Sequence, residues 1–204
     1  KVIACGKHFP GHGDTATDSH KELPVVTVPI ERLREVELRP FRHAIENDLA
    51  TIMTAHVLYP ALDEHFPATL SAAILTDLLR DDLHFKGLTL TDDLEMHAII
   101  DHYGIEEAAI RAFQAGADML LICTNRARQV AAMDALHNAV KDGAIPEARV
   151  EASLSRIAHT KERFLHPYTP ADPAAAKQVV GSRAHKALLD TILQTSERRL
   201  KALA

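Results

Sequence analysis

A unit of β-branched strand, polar loop and amphipathic helix recurs four times in succession along this chain, and that recurrence restricts the fold more than any single residue does. The strands are "KVIACGKH" at the start, "TIMTAHV" (51–57), "GLTLTD" (87–92) and "DMLLICT" (118–124). Apolar residues at helical spacing follow each one. They are Ile30, Leu33, Leu38, Phe41 and Ile45, then the segments "SAAILTDLLRDDL" (71–83), "IEEAAIRAFQAG" (105–116) and "RARQVAAMDALHNAVKDG" (126–143). Pro29 is placed to open the first helix, Pro40 to kink it, Ser71 to cap the second and Gly116 to end the third. Strands alternating with helices of this length imply a parallel α/β sheet with crossover helices. Four strands are too few to close an eight-stranded barrel, which takes about 250 residues. Two architectures remain open: an open four-stranded sheet, or half of a (β/α)8 barrel.

A further helix is expected over 146–164, and after the Pro/Ala-rich stretch 167–176 a last amphipathic helix covers roughly 183–200. The expected organisation is a main domain, 1–166, followed by a linker and helix, 167–204. The 204 residues, 47% hydrophobic and 25% charged, suit one sizeable core. A net charge of −5 with Lys and Arg scattered along the chain offers no sustained basic surface, so nucleic acid is not an expected partner. No apolar run reaches the length of a membrane span and no signal peptide is visible, so a membrane is not expected either. The first residue is Lys1 rather than methionine, which leaves an upstream targeting segment open. Cys5 and Cys123 lie in apolar, strand-like runs and are expected to pack as free thiols in a reducing compartment.

Both architectures place ligands at the C-terminal ends of the strands. There the sequence sets Lys7 and His8, His56, the pair Asp92 and Asp93, and Cys123, Thr124 and Asn125. The loop after the first strand, "KHFPGHGDTATDSH", is the part of the chain densest in proton-transfer groups. Within it Asp18 and His20 stand two residues apart, close enough for the carboxylate to orient the imidazole as a proton donor and acceptor. Asp92, at a neighbouring strand end, would supply the carboxylate that stabilises or attacks an electron-poor carbon, the second partner a retaining glycosidase requires. The bland alternatives are that Asp18 and His20 only order a loop, and that Asp93 caps a helix or is solvated. His8, His12, Asp14, Asp18 and His20 are all metal-ligand types, which keeps a metal-dependent hydrolase in view. Neither His-x-His nor a helical His-Glu-x-x-His is present, which weighs against a metal site. Gly11 and Gly13 supply permissive backbone, and no Gly-Lys-Ser/Thr follows to make a phosphate cradle. His137 and His159 read as surface residues, Met133 and Phe164 as core.

These residues also resemble a known family. "KHFPGHGDTATDSHKELP" is similar to the signature of the β-N-acetylhexosaminidase branch of family 3 glycoside hydrolases, "GLTLTDDLEM" to its nucleophile segment, and "IMTAHVLYP" to the strand between them. The resemblance runs from about Lys1 to Asn125. It implies a fold of the (β/α)8 TIM-barrel type, this chain supplying about the last four β/α units plus C-terminal helices. It implies Asp92 as nucleophile, His20 as general acid/base, Asp18 as its orienting partner, and Lys7 and His8 as ligands of the sugar hydroxyls, with His56 a third substrate-binding position. The implied activity is removal of terminal β-linked N-acetylglucosamine, from muropeptides in cytoplasmic peptidoglycan recycling, without a cofactor. A histidine acid/base also leaves phosphorolysis open, since it repels an anionic acceptor less than a carboxylate would. The barrel's first four strands would come from an upstream segment or a second copy. Without them, the chain would be a fragment that only binds sugar or a partner subunit.

Overall fold

Four parallel strands, β1 (Cys5–Phe9), β2 (Thr51–Thr54), β3 (Leu88–Asp93) and β4 (Met119–Leu121), lie side by side in chain order in the computed structural model. Residues 2–203 are described, 197–203 by their backbone only. The sheet is open among the described residues. The chain falls into two compact units, Lys1–His166, which holds the sheet, and Pro167–Ala204.

The crossover from β1 to β2 is one continuous helical run, α1 (Ile30–Arg32), a π-helical turn (Leu33–Glu37) and α2 (Leu38–Glu46). The kink expected at Pro40 is not there. The helix continues through that residue, and the irregularity sits upstream in the π turn. A π-type helix (Ala73–Asp82) leads to β3, where Ser71 acts as the expected cap by accepting the Ile74 N–H at 3.2 Å. Helix α3 (His97–Ala115) starts eight residues before the predicted Ile105, because the stretch expected as a loop is helical on both sides of a break at Gly104 (φ 70°). Helices α4 (Arg126–Lys141) and α5 (Glu147–Leu165) follow, α4 capped by the Asn125 side chain, which accepts from the Ala127 and Arg128 N–H groups. In the second unit the Pro/Ala-rich stretch is itself partly helical. Asp172 caps α6 (Pro173–Val179), and α7 (Arg183–Leu203) follows.

The core lies between the sheet and its helices, with Phe9, Leu33, Leu38, Ile52, Ile74, Leu75 and Leu79 fully buried. Strand β2 is shorter than the sequence suggested. After Thr54 the chain leaves the ladder, Ala55 giving its N–H to the Phe9 carbonyl, while Ala55, His56 and Val57 stay buried. At the opposite end of the strands, the side chain of Asp118 is fully buried and holds three arginines. Arg80 meets one carboxylate oxygen at 2.7 Å, and Arg156 and Arg149 meet the other at 2.9 and 3.6 Å. This clamp ties α5 to the starts of β3 and β4.

Two expectations of burial also fail. Cys5 and Cys123 are exposed, because each falls at a strand end rather than inside the packed sheet. Met133 is 65% exposed on the outer face of α4, its helical spacing having described the wrong face.

Candidate active site

The loop leaving β1 is held at both ends. At its start the Tyr59 hydroxyl donates to the Gly11 carbonyl at 2.6 Å, and Gly11 itself takes a φ of +143°, with the side chain of Glu37 packed where a Cβ would lie. At its end the Ser19 carbonyl accepts the Ala98 N–H of α3. Between them His12 braces the loop from within, one ring nitrogen 3.1 Å from Thr15 Oγ1 and the other 3.1 Å from Ser19 Oγ. The sequence marks His12 only as a ligand type and does not mark Tyr59 at all. Both act across the loop, which linear spacing does not show.

Asp18 and His20 project from this braced loop and are exposed. The Asp18 carboxylate accepts from the His20 backbone N–H at 3.0 Å, and the same oxygen lies 2.9 Å from His20 Nδ1. Those bonds, the backbone one foremost, hold the Asp18 carboxyl below its ordinary value. Nδ1 is thus committed to Asp18, and Nε2 is the atom left to exchange a proton with a substrate.

Asp92 stands at the end of β3, half-buried. Its Oδ2 lies 3.3 Å from His8 Nε2, and its Oδ1 accepts the Asp93 N–H at 2.9 Å. The His8 hydrogen bond, reinforced by the Asp93 N–H and opposed by burial, brings its carboxyl down to about 2. Asp92 is therefore an anion throughout the neutral range. Lys7, His8, His12, Asp18, His20 and Asp92 line a single open cleft of about 440 Å³.

His56 is in a different place from the other predicted positions. It is 1% exposed and lies beneath the rim, with Nδ1 2.7 Å from Thr69 Oγ1 and Nε2 2.9 Å from the Asp93 carbonyl oxygen. Burial lowers its pKa to about 4, so the ring is neutral. Asp93 has a structural part, its carboxylate accepting the N–H groups of Glu95 and Cys123. The other rim residues tie two loops together. Thr124 and Asn125 donate to Glu95, which also pairs with Arg128 and whose carboxyl is held at about 2, chiefly by the Thr124 N–H. Among the described residues no three His, Cys, Asp or Glu side chains converge in a group able to hold a metal ion. His8 meets Asp92, His12 the Thr15 and Ser19 hydroxyls, Asp14 the Arg32 guanidinium, and Asp18 and His20 one another.

The chain is thus a parallel α/β domain of barrel type, with an anionic carboxylate and a carboxylate-oriented histidine on one cleft at its C-terminal rim. The chain is a member of glycosyl hydrolase family 3, whose N terminal domain it matches over residues 1–160. A beta-hexosaminidase A from Pseudoalteromonas piscicida is 36% identical over 205 residues, covering 92% of this chain and 34% of that protein. A beta-hexosaminidase from Nitrosomonas eutropha is 36% identical over 169 residues, 80% of this chain and 48% of its own length. Among solved structures, a glycoside hydrolase family 3 beta-N-acetylglucosaminidase from Paenibacillus sp. str. FPU-7 superposes with a TM-score of 0.82 at 46% identity, over 84% of this chain and 33% of that one. The chain thus spans between a third and a half of the curated relatives named here.

Proposed function

We propose that this chain carries the nucleophile and the acid/base of a retaining β-N-acetylhexosaminidase that releases terminal β-linked N-acetylglucosamine. The observation that carries the reading is the meeting, on one cleft, of the Asp92 carboxylate with the Asp18-oriented His20. The names of the relatives support the sugar.

In this reading the reaction runs in two displacements. Asp92 attacks the anomeric carbon while protonated His20 gives its Nε2 proton to the departing glycosidic oxygen, and a covalent glycosyl-enzyme forms. His20, now neutral, takes a proton from water as that water attacks the same carbon, which frees Asp92 and restores the imidazolium. Asp18 keeps the ring oriented through both steps and faces its charge when protonated. The low pKa of Asp92 suits its part, since the group must be ionised to attack and must leave as a carboxylate. Lys7 and His8 line the same cleft and would bind the sugar hydroxyls, His8 also holding Asp92. Muropeptides as substrates, and the cytoplasm as the place of action, extend the same reading.

The test is the intact mass of the protein before and after incubation with 5-fluoro-N-acetylglucosaminyl fluoride, followed by peptide mapping. A single glycosyl adduct on Asp92 is expected, absent from Asp92→Ala. Adduct formation on another residue, or undiminished turnover by Asp92→Ala, would overturn the assignment.

A further inference from the structure

His56 is one of the few buried titratable groups in the main unit, and every polar atom of its ring is engaged inside the protein. Nε2 lies 2.9 Å from the Asp93 carbonyl oxygen, which can only accept, so Nε2 carries the proton. The ring is neutral, so Nδ1 is an acceptor, and it shares the single hydroxyl proton of Thr69, 2.7 Å away, with the Ala55 carbonyl oxygen, 3.0 Å from the same hydroxyl. Thr54 Oγ1, 2.7 Å from Thr69 Oγ1, can then donate in turn, while the acceptor-only Asp93 carbonyl fixes the tautomer. The imidazole does not line the cleft that holds Asp92, His8 and His20.

The group that His56 holds is the one that aims the nucleophile. Asp93 gives its N–H to Asp92 Oδ1 and its carbonyl oxygen to His56, so the hydrogen bond from the ring restrains the backbone whose other end orients the carboxylate. We infer that His56 is a positioning residue for Asp92, acting through the Asp93 carbonyl as a neutral Nε2–H donor, and that it makes no contact with the sugar. This rests on the reading of Asp92 as the nucleophile.

The experiment compares His56→Met, which removes the donor, with His56→Gln, whose amide N–H falls near the place of Nε2, after both variants are shown to be folded by circular dichroism. The readout is inactivation by the fluoro-sugar fluoride, separated into the maximal rate of labelling and the inhibitor concentration at half-maximal rate. A positioning role predicts that His56→Met labels Asp92 about tenfold or more slowly with its half-saturating concentration within about twofold, because displacement of a reacting group by about an ångström is felt in the rate. His56→Gln should recover most of the loss. A raised half-saturating concentration at unchanged maximal rate would make His56 a sugar contact instead, and no change in either would leave it without a role; both overturn the inference. A parent protein that takes no label would defeat the proposed function of this chain, whose site would then be incomplete, separately from the inference. The hydrogen-bonding arrangement is then decided by the imidazole 15N shifts of His56 at pH 7, where a charged ring, or a proton on Nδ1, overturns it.

Discussion

Acidification should destabilise this protein through His56 in a way that can be worked out in advance. Burial lowers the His56 pKa from 6.5 to about 4, so between those values the unfolded chain binds a proton that the folded one refuses. The sign follows from linkage: stability is full above about pH 6.5, falls as pH drops, and the loss levels off below about pH 4. At about 1.36 kcal/mol per unit of pKa difference, the loss between pH 7 and pH 4.5 comes to about 2.5 kcal/mol, a large part of what a domain has to spare. Urea denaturation followed by circular dichroism at pH 7, 6, 5 and 4.5 gives the dependence for the parent, and His56→Gln, which cannot titrate there, gives the background from every other group. The difference between the two curves should grow in the variant's favour by about 2.5 kcal/mol over that range. Parallel curves would show that His56 is free to protonate in the folded state, and would refute the buried, neutral ring.

Asp118→Ala leaves Arg80, Arg149 and Arg156 facing one another without their carboxylate, and should lower stability by about 3–5 kcal/mol in thermal or urea unfolding. Gly87→Ala places a Cβ 2.3 Å from the Ala50 carbonyl oxygen, so the backbones of β2 and β3 must part; a loss of about 3 kcal/mol or more, or failure to fold, is expected by the same assay. His8→Ala removes the leading cause of the depressed Asp92 pKa, so the carboxyl midpoint, followed by 13C NMR, should rise from about 2 toward the ordinary 3.8. An unchanged midpoint would mean that the Asp93 N–H alone sets it.

The fold was legible where the period of hydrophobicity changes from two to 3.6 and back, because that change reports which face of each element is buried. It blurred where a local signal meets a tertiary one. Gly104 punctuates the sequence as a loop would, yet the chain is helical on both sides of it. Val57 looks like strand but is buried after the ladder ends. At the site, Asp18, His20 and Asp92 could be found because local spacing and strand ends point to them. Thr69 and Tyr59 could not, since their partners, His56 and Gly11, are brought to them only by the folded sheet. His56 does stand at a strand end as expected, but whether such a residue faces the cleft or lies under it depends on where the chain turns after β2.

The acidic residues of the main unit differ in how fully their hydrogen bonds hold them, and the proposed function divides them along the same line. Asp118, with no exposed side-chain surface, and Glu95, 6% exposed, have both oxygens engaged, each by an arginine on at least one oxygen and by backbone N–H groups on the other or the same. Asp92, 24% exposed, is held more lightly, by one backbone N–H and by a histidine that can itself turn to a substrate. Asp18, 53% exposed, spends one oxygen on His20 and keeps the pair in solvent reach. In the proposed reaction, the carboxylates given a chemical part are those whose hydrogen bonds are enough to fix direction and too few to satisfy the anion. That is the condition under which a reacting carbon or an imidazolium becomes the better partner. Residue type and position alone would have ranked Asp92 and Asp93 together; the cleft, which Asp92 lines and Asp93 does not, separates them.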